Sequence, residues 1–311
     1  MPIGPRLDAE LAMDARLREM VHAEDDFILV ELGPSLPGHE DRLTLLKPSG
    51  RIGRRFVDAV DPAKEPARVV LSRLIESFSR LCTILQRLQD EGIAHIAICP
   101  DAIVFDSAAR SVRLARFCNA VSMVSPCSAL KEQASAYSSD LAKSRHIAPE
   151  ARALLALVHT SKERVSVEDL AGVLEGNELS TMPGLIGQET HAARSRLEGG
   201  WKGWDVYALT RMYTELLESI VSWRLARPGA GKPRNPWLDG VLTELRKGWD
   251  EAGAGGTRPS LVKIKRGVER AWYEGGDVLS CQQIVDDMNS KRVRSLRIED
   301  GGGDRTGAHS A

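Results

Sequence analysis

The segment EGIAHIAICPDAIVFDSAARSVRLARF, residues 91–117, decides how the chain is organised. It contains two apolar runs, at 102–105 and 111–117, joined by a short polar turn. Two such runs around a polar turn predict a β-hairpin. A further apolar run at 94–98 stands just before the hairpin, and it contains a histidine that we expect to be a buried, hydrogen-bonded side chain.

The clearest helix in the chain precedes this segment, at 67–90. Its apolar residues recur at spacings of three and four on one face, its arginines fall outside that face, and Gly92 ends it. Further helices are predicted at 7–21, 167–174, 205–223, 237–249 and 261–273, with shorter ones that begin near Pro149 and at Ser280. A buried strand is predicted at 27–32, and loops are predicted at 33–50, 119–146 and 176–203. The pattern predicts a mainly α fold with a minor β element.

Composition narrows the class of protein. The 311 residues carry 42 Lys and Arg against 43 Asp and Glu, a net charge of −1, which argues against a protein that primarily binds nucleic acid or an anionic membrane. No apolar run reaches the ~20 residues of a membrane span. The five cysteines are odd in number and lack Cys-x-x-Cys spacing, so we expect reduced thiols and a cytoplasmic protein.

Short motifs follow one another in a distinctive order. HIAICPDA (95–102) follows the long helix, RFC (116–118) follows the hairpin, and APE (148–150) lies further along the chain. Asp205 then begins a helix, and Arg258 opens an Arg-Pro-Ser segment. This order resembles the large C-terminal lobe of a eukaryotic-type protein kinase, whose motifs are H-R-D-L-x-x-x-N, D-F-G and A-P-E. The resemblance covers roughly residues 25–290.

Some positions of the kinase pattern are retained in this chain. The retained residues are His95, Pro100, Phe117, Pro149, Glu150, Asp205 and Arg258. The resemblance implies that they are structural: Asp205 would brace the loop at 95–102, and Arg258 would pair with Glu150.

Other positions, those that would transfer phosphate, are changed. Phosphoryl transfer needs an Asp that accepts a proton, and an Asn and a second Asp that hold magnesium. Here those positions are Ala97, Ala102 and Arg116, while Cys99 replaces a phosphate-contacting lysine and Cys118 completes the altered Arg-Phe-Cys motif. A methyl group can neither accept a proton nor bind a hard cation, and Arg116 adds a positive charge. We therefore predict no catalytic residue, no metal site and no cofactor.

The predicted domain organisation is that of a kinase-like large lobe with a truncated or vestigial small lobe. Residues 1–33 would be a remnant helix and hinge strand, because five strands and a helix need ~60 residues or more. Residues 34–290 would be the large lobe, with an insertion at about 155–200. Residues 291–311 would be a basic, glycine-rich flexible tail.

The expected function is that of a catalytically inactive pseudokinase. It would bind another protein, a kinase or a kinase substrate among the candidates, as a scaffold or allosteric regulator, and would bind neither nucleic acid nor membrane. One alternative is an enzyme with a repurposed pocket that uses Asp101, Asp106 or a cysteine for altered phosphoryl or nucleotidyl transfer. A further alternative is that another chain supplies the missing small lobe.

Overall fold

The computed structural model describes residues 5–29, 31–33, 44–46, 54–107, 109–123, 144–180, 182, 184–221, 235–249, 258–274, 282 and 284–286. These residues form a mainly helical fold with short antiparallel strands, so the predicted class of mainly α with minor β is confirmed. Every helix within these ranges is too short or too polar to span a lipid bilayer.

The helices and strands are numbered in chain order. The helices are α1 (Pro5–Arg18), α2 (Ala23–Asp26), α3 (Phe56–Ala59), α4 (Ala67–Asp90), α5 (Pro149–Val158), α6 (Val167–Ala171), α7 (Gly176–Ser180), α8 (Thr190–Gly199), α9 (Lys202–Val221), α10 (Pro236–Lys247) and α11 (Leu261–Tyr273). The strands are β1 (Glu31–Gly33), β2 (Thr44–Leu46), β3 (Arg54–Arg55), β4 (Ile93–Ala94), β5 (Ile103–Asp106), β6 (Ser111–Leu114) and β7 (Val121–Ser122). Two 3-10 helices, Pro100–Ala102 and Phe117–Asn119, flank the hairpin.

The predicted hairpin is formed by β5 and β6. Strand β3 pairs with the other edge of β5, so this antiparallel sheet has the order β3-β5-β6. The hairpin strands are shorter at their outer ends than predicted, because residues 102 and 117 belong to the 3-10 helices. Alternate residues of the hairpin, Ile103, Phe105, Val112 and Leu114, are buried, as expected for strands that cover a core with one face.

Helix α4 lies at the centre of the larger core, and its predicted bounds are confirmed. Its apolar face is buried against α9, α11 and the hairpin. The hydroxyl groups of Ser77 and Tyr213 share a hydrogen bond of 2.6 Å, and the ring of Phe78 meets the ring of Tyr213 edge-on at 5.0 Å. These contacts connect α4 with α9, the helix that carries Asp205.

The N-terminal helices are attached to α4 through a buried carboxylate. Asp26, at the end of α2, is fully buried, forms an ion pair with the Arg80 guanidinium at 2.6 Å and accepts a hydrogen bond from Arg87. Arg16 of α1 donates to the carbonyl of Glu91 at 2.6 Å and to the hydroxyl of Ser122 at 2.7 Å. Because both ends of this segment contact the body of the molecule, α1 and α2 are part of its core.

A second core is built by α5 to α8. Apolar side chains of residues 165–197 pack with α5 and with Trp204 and Tyr207 of α9. Arg194 of α8 donates to three carbonyls at the end of α5, at residues 157, 158 and 160. The loop predicted at 176–203 is therefore wrong: α7 and α8 lie there. Their apolar positions are few, so periodicity did not reveal them.

Several other predicted bounds are wrong. Helix α1 ends at Arg18 instead of continuing to 21, and the strand predicted at 27–32 is only a bridge at Phe27 followed by β1. Strand β2 lies within the loop predicted at 33–50, and β7 lies within the one predicted at 119–146. Such short strands depend on a distant partner for their hydrogen bonds, which a local pattern does not show.

Some predictions lie outside the described residues. These are the tail at 291–311, most of the loop at 119–146, and Cys127 and Cys281. Of the helix predicted to begin at Ser280, residues 282 and 284–286 are helical, and Ile284 and Val285 are buried.

Candidate functional site

Asp205 binds the loop that follows β4 through two main-chain hydrogen bonds. One carboxylate oxygen accepts the N–H of His95 at 3.0 Å, and the other accepts the N–H of Ile96 at 2.8 Å. Asp205 lies in the first turn of α9, and its side chain is fully buried. Residues 95–102, held in this way, are called the braced loop below.

The braced loop contains an unfavourable backbone conformation. Ile96 has a φ of 55°, in the left-handed region that β-branched residues rarely adopt. Such a conformation costs of order 1–3 kcal/mol and persists only where the surroundings enforce it. The bond from Ile96 N–H to Asp205, together with full burial of the Ile96 side chain, supplies that constraint.

The imidazole of His95 is a buried structural group. Its Nε2 donates to the carbonyl of Ala115 at 3.0 Å, which connects the braced loop to the end of β6. The ring meets Phe117 edge-on at 5.1 Å, and Phe117 meets Phe27 edge-on at 5.3 Å. This stack joins the loop, the 3-10 helix at 117–119 and the N-terminal segment.

Burial moves the pKa values of these two groups in opposite directions. Desolvation raises the pKa of Asp205 from 3.8 to about 6, although the two N–H donors act to lower it. Desolvation lowers the pKa of His95 from 6.5 to about 4, against the smaller opposing effect of the Ala115 carbonyl. At neutral pH the carboxylate is therefore ionised and the imidazole is neutral.

The positions predicted to have lost their chemistry lie along the braced loop and just after β6. Ala102 is buried, while Ala97 and Cys99 are half-buried. Arg116 has left-handed φ and ψ angles of 62° and 58°, and its exposed guanidinium lies 3.9 Å from the exposed carboxylate of Asp101. The charged groups of this area are thus an exposed arginine and an exposed aspartate that face each other.

The other residues considered for altered chemistry have different surroundings. Asp106 is buried, accepts from Arg113 at 2.8 Å and accepts the N–H of Ala109 at 3.1 Å, so it closes the hairpin turn. Cys118 is half-buried in the 3-10 helix at 117–119. Burial raises the pKa of Cys82, within α4, far above its ordinary value.

Glu150 and Arg258, 108 residues apart, form the ion pair that the sequence analysis expects. The guanidinium of Arg258 donates to the Glu150 carboxylate at 2.6 Å, and only 5% of the Arg258 side chain is exposed. The guanidinium also lies 5.0 Å from the ring centre of Tyr207. Gly203 permits this approach, since a Cβ there would lie 3.3 Å from the Arg258 side chain. Pro149 is buried in the first turn of α5, beside Glu150.

Sequence reasoning missed three parts of this site. The carbonyl of Ala115 carries no side-chain signal, and nothing in the sequence around Ile96 indicates a left-handed residue. Phe27 was assigned to a strand, and its partner Phe117 was identified only through its motif. Within the part of the chain that the structure describes, no three His, Cys, Asp or Glu side chains are grouped as metal ligands would be.

Comparison with known proteins adds no assignment. No protein-family model matches the chain, and a search of curated proteins finds no match to it.

Proposed function

We propose that this chain is a kinase-like protein that has lost phosphoryl transfer and acts by binding another protein. The observation that carries the proposal is the bonding of Asp205 to the N–H groups of His95 and Ile96. This is the contact that the resemblance to a kinase large lobe implies. The pair of Arg258 with Glu150 gives independent support, because it joins two further positions of the same pattern.

The chemistry of the loop supports the loss of transfer activity. At the positions where a kinase holds a proton acceptor and magnesium ligands, this chain has Ala97, Ala102 and Arg116. The guanidinium of Arg116 lies 3.9 Å from the carboxylate of Asp101, so this position carries a cation where the kinase pattern has a magnesium ligand. The loop is thus held in place while its reactive oxygens are missing.

A binding role is supported by the helical unit at α5 to α8. It is packed on its own core, so its surface has a defined shape. Val167 and Ile186 on that surface are 45% and 47% exposed, and apolar side chains in such positions favour contact with another protein. Transfer chemistry by Asp106 gains no support, because its carboxylate is already bound within the hairpin.

The proposal is tested first by nucleotide binding. Thermal denaturation of the full chain, with and without ATP, ADP and magnesium, should give the same midpoint, since only a bound ligand stabilises the folded state. A variant with Ala97→Asp, Ala102→Asn and Arg116→Asp restores the lost oxygens and should still transfer no phosphate to a generic substrate. A clear nucleotide-dependent shift in the unmodified chain, or phosphate transfer by it, would contradict the proposal.

The second test concerns the partner. A tagged full chain, cross-linked in an extract of its own source and purified under denaturing conditions, should retain a specific partner protein identified by mass spectrometry. The restored triple variant is the matched control and should retain the same partner, because the proposed binding does not use the reactive positions. Loss of the partner in that variant would mean that the partner binds at the braced loop. That result would contradict the proposal that partner binding is independent of the reactive positions.

A further inference from the structure

A groove with a volume of about 850 Å³ lies between α10 and α11. Its floor is formed by small residues: Gly240 on α10, and Gly267 and Ala271 on α11. A Cβ at Gly240 would lie 3.9 Å from the Cβ of Ala271, so these two helices approach closely at that point. Along the outer side of the two helices these residues border an open channel, in which the carboxylate of Glu244 lies against Gly267.

The groove carries an excess of positive charge. Lys247, Lys263, Arg266 and Arg270 line it, against Glu244 and Glu274, which leaves a net charge of +2 on a chain whose total is −1. Lys247 pairs with Glu244 at 2.6 Å, and Arg270 approaches Glu274 at 3.7 Å. Among the described residues, no carboxylate lies within ion-pair distance of Lys263 or Arg266, and both side chains are exposed.

These cations lie outside the buried face of α11. The helix turns Leu261, Ile264, Val268 and Trp272 into the core. Lys263, Arg266 and Arg270 follow one another at spacings of three and four along the outer face, so they form one stripe. Val262, 43% exposed, lies beside them and adds an apolar contact point.

We propose that the α10–α11 groove binds an acidic segment of a partner protein, with Lys263 and Arg266 as its main contacts. This inference rests on the proposed protein-binding function and names the surface and the chemistry of the partner. Charge complementarity selects the occupant: unpaired cations attract carboxylates, and the channel beside them accepts a peptide backbone. Helix α10 has 12 residues, about 18 Å, which is the length of about five extended residues.

The residues that line the groove favour a protein over a nucleic acid as occupant. None of the described lining residues is aromatic, so the groove offers no surface on which bases could stack. The net charge of −1 also gives the chain no overall attraction for phosphate backbones.

The test uses a fluorescein-labelled peptide of about twelve residues, mostly glutamate with two leucines, whose binding to the full chain is followed by fluorescence anisotropy. The peptide should bind, and high salt should weaken binding because the contacts are exposed ion pairs. Replacing Lys263→Glu together with Arg266→Glu should weaken binding about tenfold. Replacing Glu274→Gln frees Arg270 and should strengthen binding about twofold.

Two controls make the outcome decisive. A peptide with glutamine in place of each glutamate should not bind, and Lys202→Glu, an exposed cation on α9, should leave binding of the acidic peptide unchanged. Equal binding by the Lys263→Glu, Arg266→Glu variant would overturn the inference, as would tighter binding of an oligothymidine strand than of the peptide. If that double variant keeps the cross-linked partner described above, the protein-binding function stands and the groove alone is rejected.

Discussion

The braced loop and the α10–α11 groove use their polar groups in opposite ways. In the braced loop, Asp205 and His95 are buried and their bonds are directed to the main chain of neighbouring elements. In the groove, Lys263 and Arg266 are exposed and line an open channel.

This difference in burial implies that the polar groups of the braced loop serve stability and those of the groove serve binding. A buried group whose partner is removed leaves an unsatisfied polar atom, which costs about 1–3 kcal/mol or more. An exposed cation contributes little to stability, so its identity is free to serve an interaction. We therefore expect substitutions in the braced loop to change the free energy of unfolding, and substitutions in the groove to change binding alone.

The largest effect is expected at Asp205. Asp205→Ala leaves the N–H groups of His95 and Ile96 without acceptors and releases the left-handed residue, so the free energy of unfolding should fall by about 4 kcal/mol. Urea denaturation followed by circular dichroism measures this change.

Asp205→Asn is the matched control for that measurement. The amide keeps one oxygen that accepts an N–H, so we expect a smaller loss, about half as large. If both variants unfolded at the same urea concentration as the unmodified chain, the hydrogen bonds from Asp205 to the braced loop would not stabilise the fold.

The pH dependence of the free energy of unfolding gives the next largest effect, about 3 kcal/mol. The raised pKa of Asp205 stabilises the fold below pH 3.8, and this contribution is lost as the pH rises to about 6. The lowered pKa of His95 stabilises the fold above pH 6.5, and this contribution is lost as the pH falls to about 4. Each contribution is about 3 kcal/mol, so the two nearly cancel in the unmodified chain.

His95→Gln removes the contribution of His95 and leaves that of Asp205 in place. Glutamine keeps an N–H donor for the Ala115 carbonyl but does not titrate, so stability relative to the unmodified chain should decline by about 3 kcal/mol from pH 4 to pH 6.5. Urea denaturation at several pH values measures it, and the difference between the two proteins removes the contribution of all other groups. Parallel pH profiles for the two proteins would argue against a buried, neutral His95.

The Arg258–Glu150 pair should give an intermediate effect. Arg258→Met leaves the Glu150 carboxylate without its partner at a largely buried position, and we expect a loss of about 2 kcal/mol. Glu150→Gln retains an oxygen acceptor for the guanidinium and should cost about 1 kcal/mol. Thermal denaturation compares the stabilities of the two variants. A larger loss of stability for Glu150→Gln than for Arg258→Met would show that the ion pair is not what stabilises this part of the fold.

The smallest effect on stability is expected in the groove. Lys263→Glu with Arg266→Glu should change the free energy of unfolding by less than about 0.5 kcal/mol, because both side chains are exposed. The same variant should lose most of its affinity for the acidic peptide. A large loss of stability would show that these cations support the fold, and the contrast between the two regions would disappear.

The parts of the fold that were predicted from sequence have strong local patterns. The bounds of α4 and α11 agree with the prediction, because a long apolar face and a clear end signal are contained within each segment. Helix α8 was missed, since Arg194 attaches it to the end of α5 through main-chain carbonyls that no pattern displays. The short pairings of β1 with β2 and of β4 with β7 were missed for the same reason.

The sequence by itself determined the order of helices and hairpin, the apolar faces, and the residue types at each motif position. Only the tertiary structure decided that Asp26 is buried between Arg80 and Arg87, that Ile96 is left-handed, and that Lys263 and Arg266 line an open groove. The physical reason is the separation along the chain of the residues that specify each feature. A helix or turn is specified by residues a few positions apart, whereas burial, strain and exposed charge depend on what packs against a residue from distant parts of the chain.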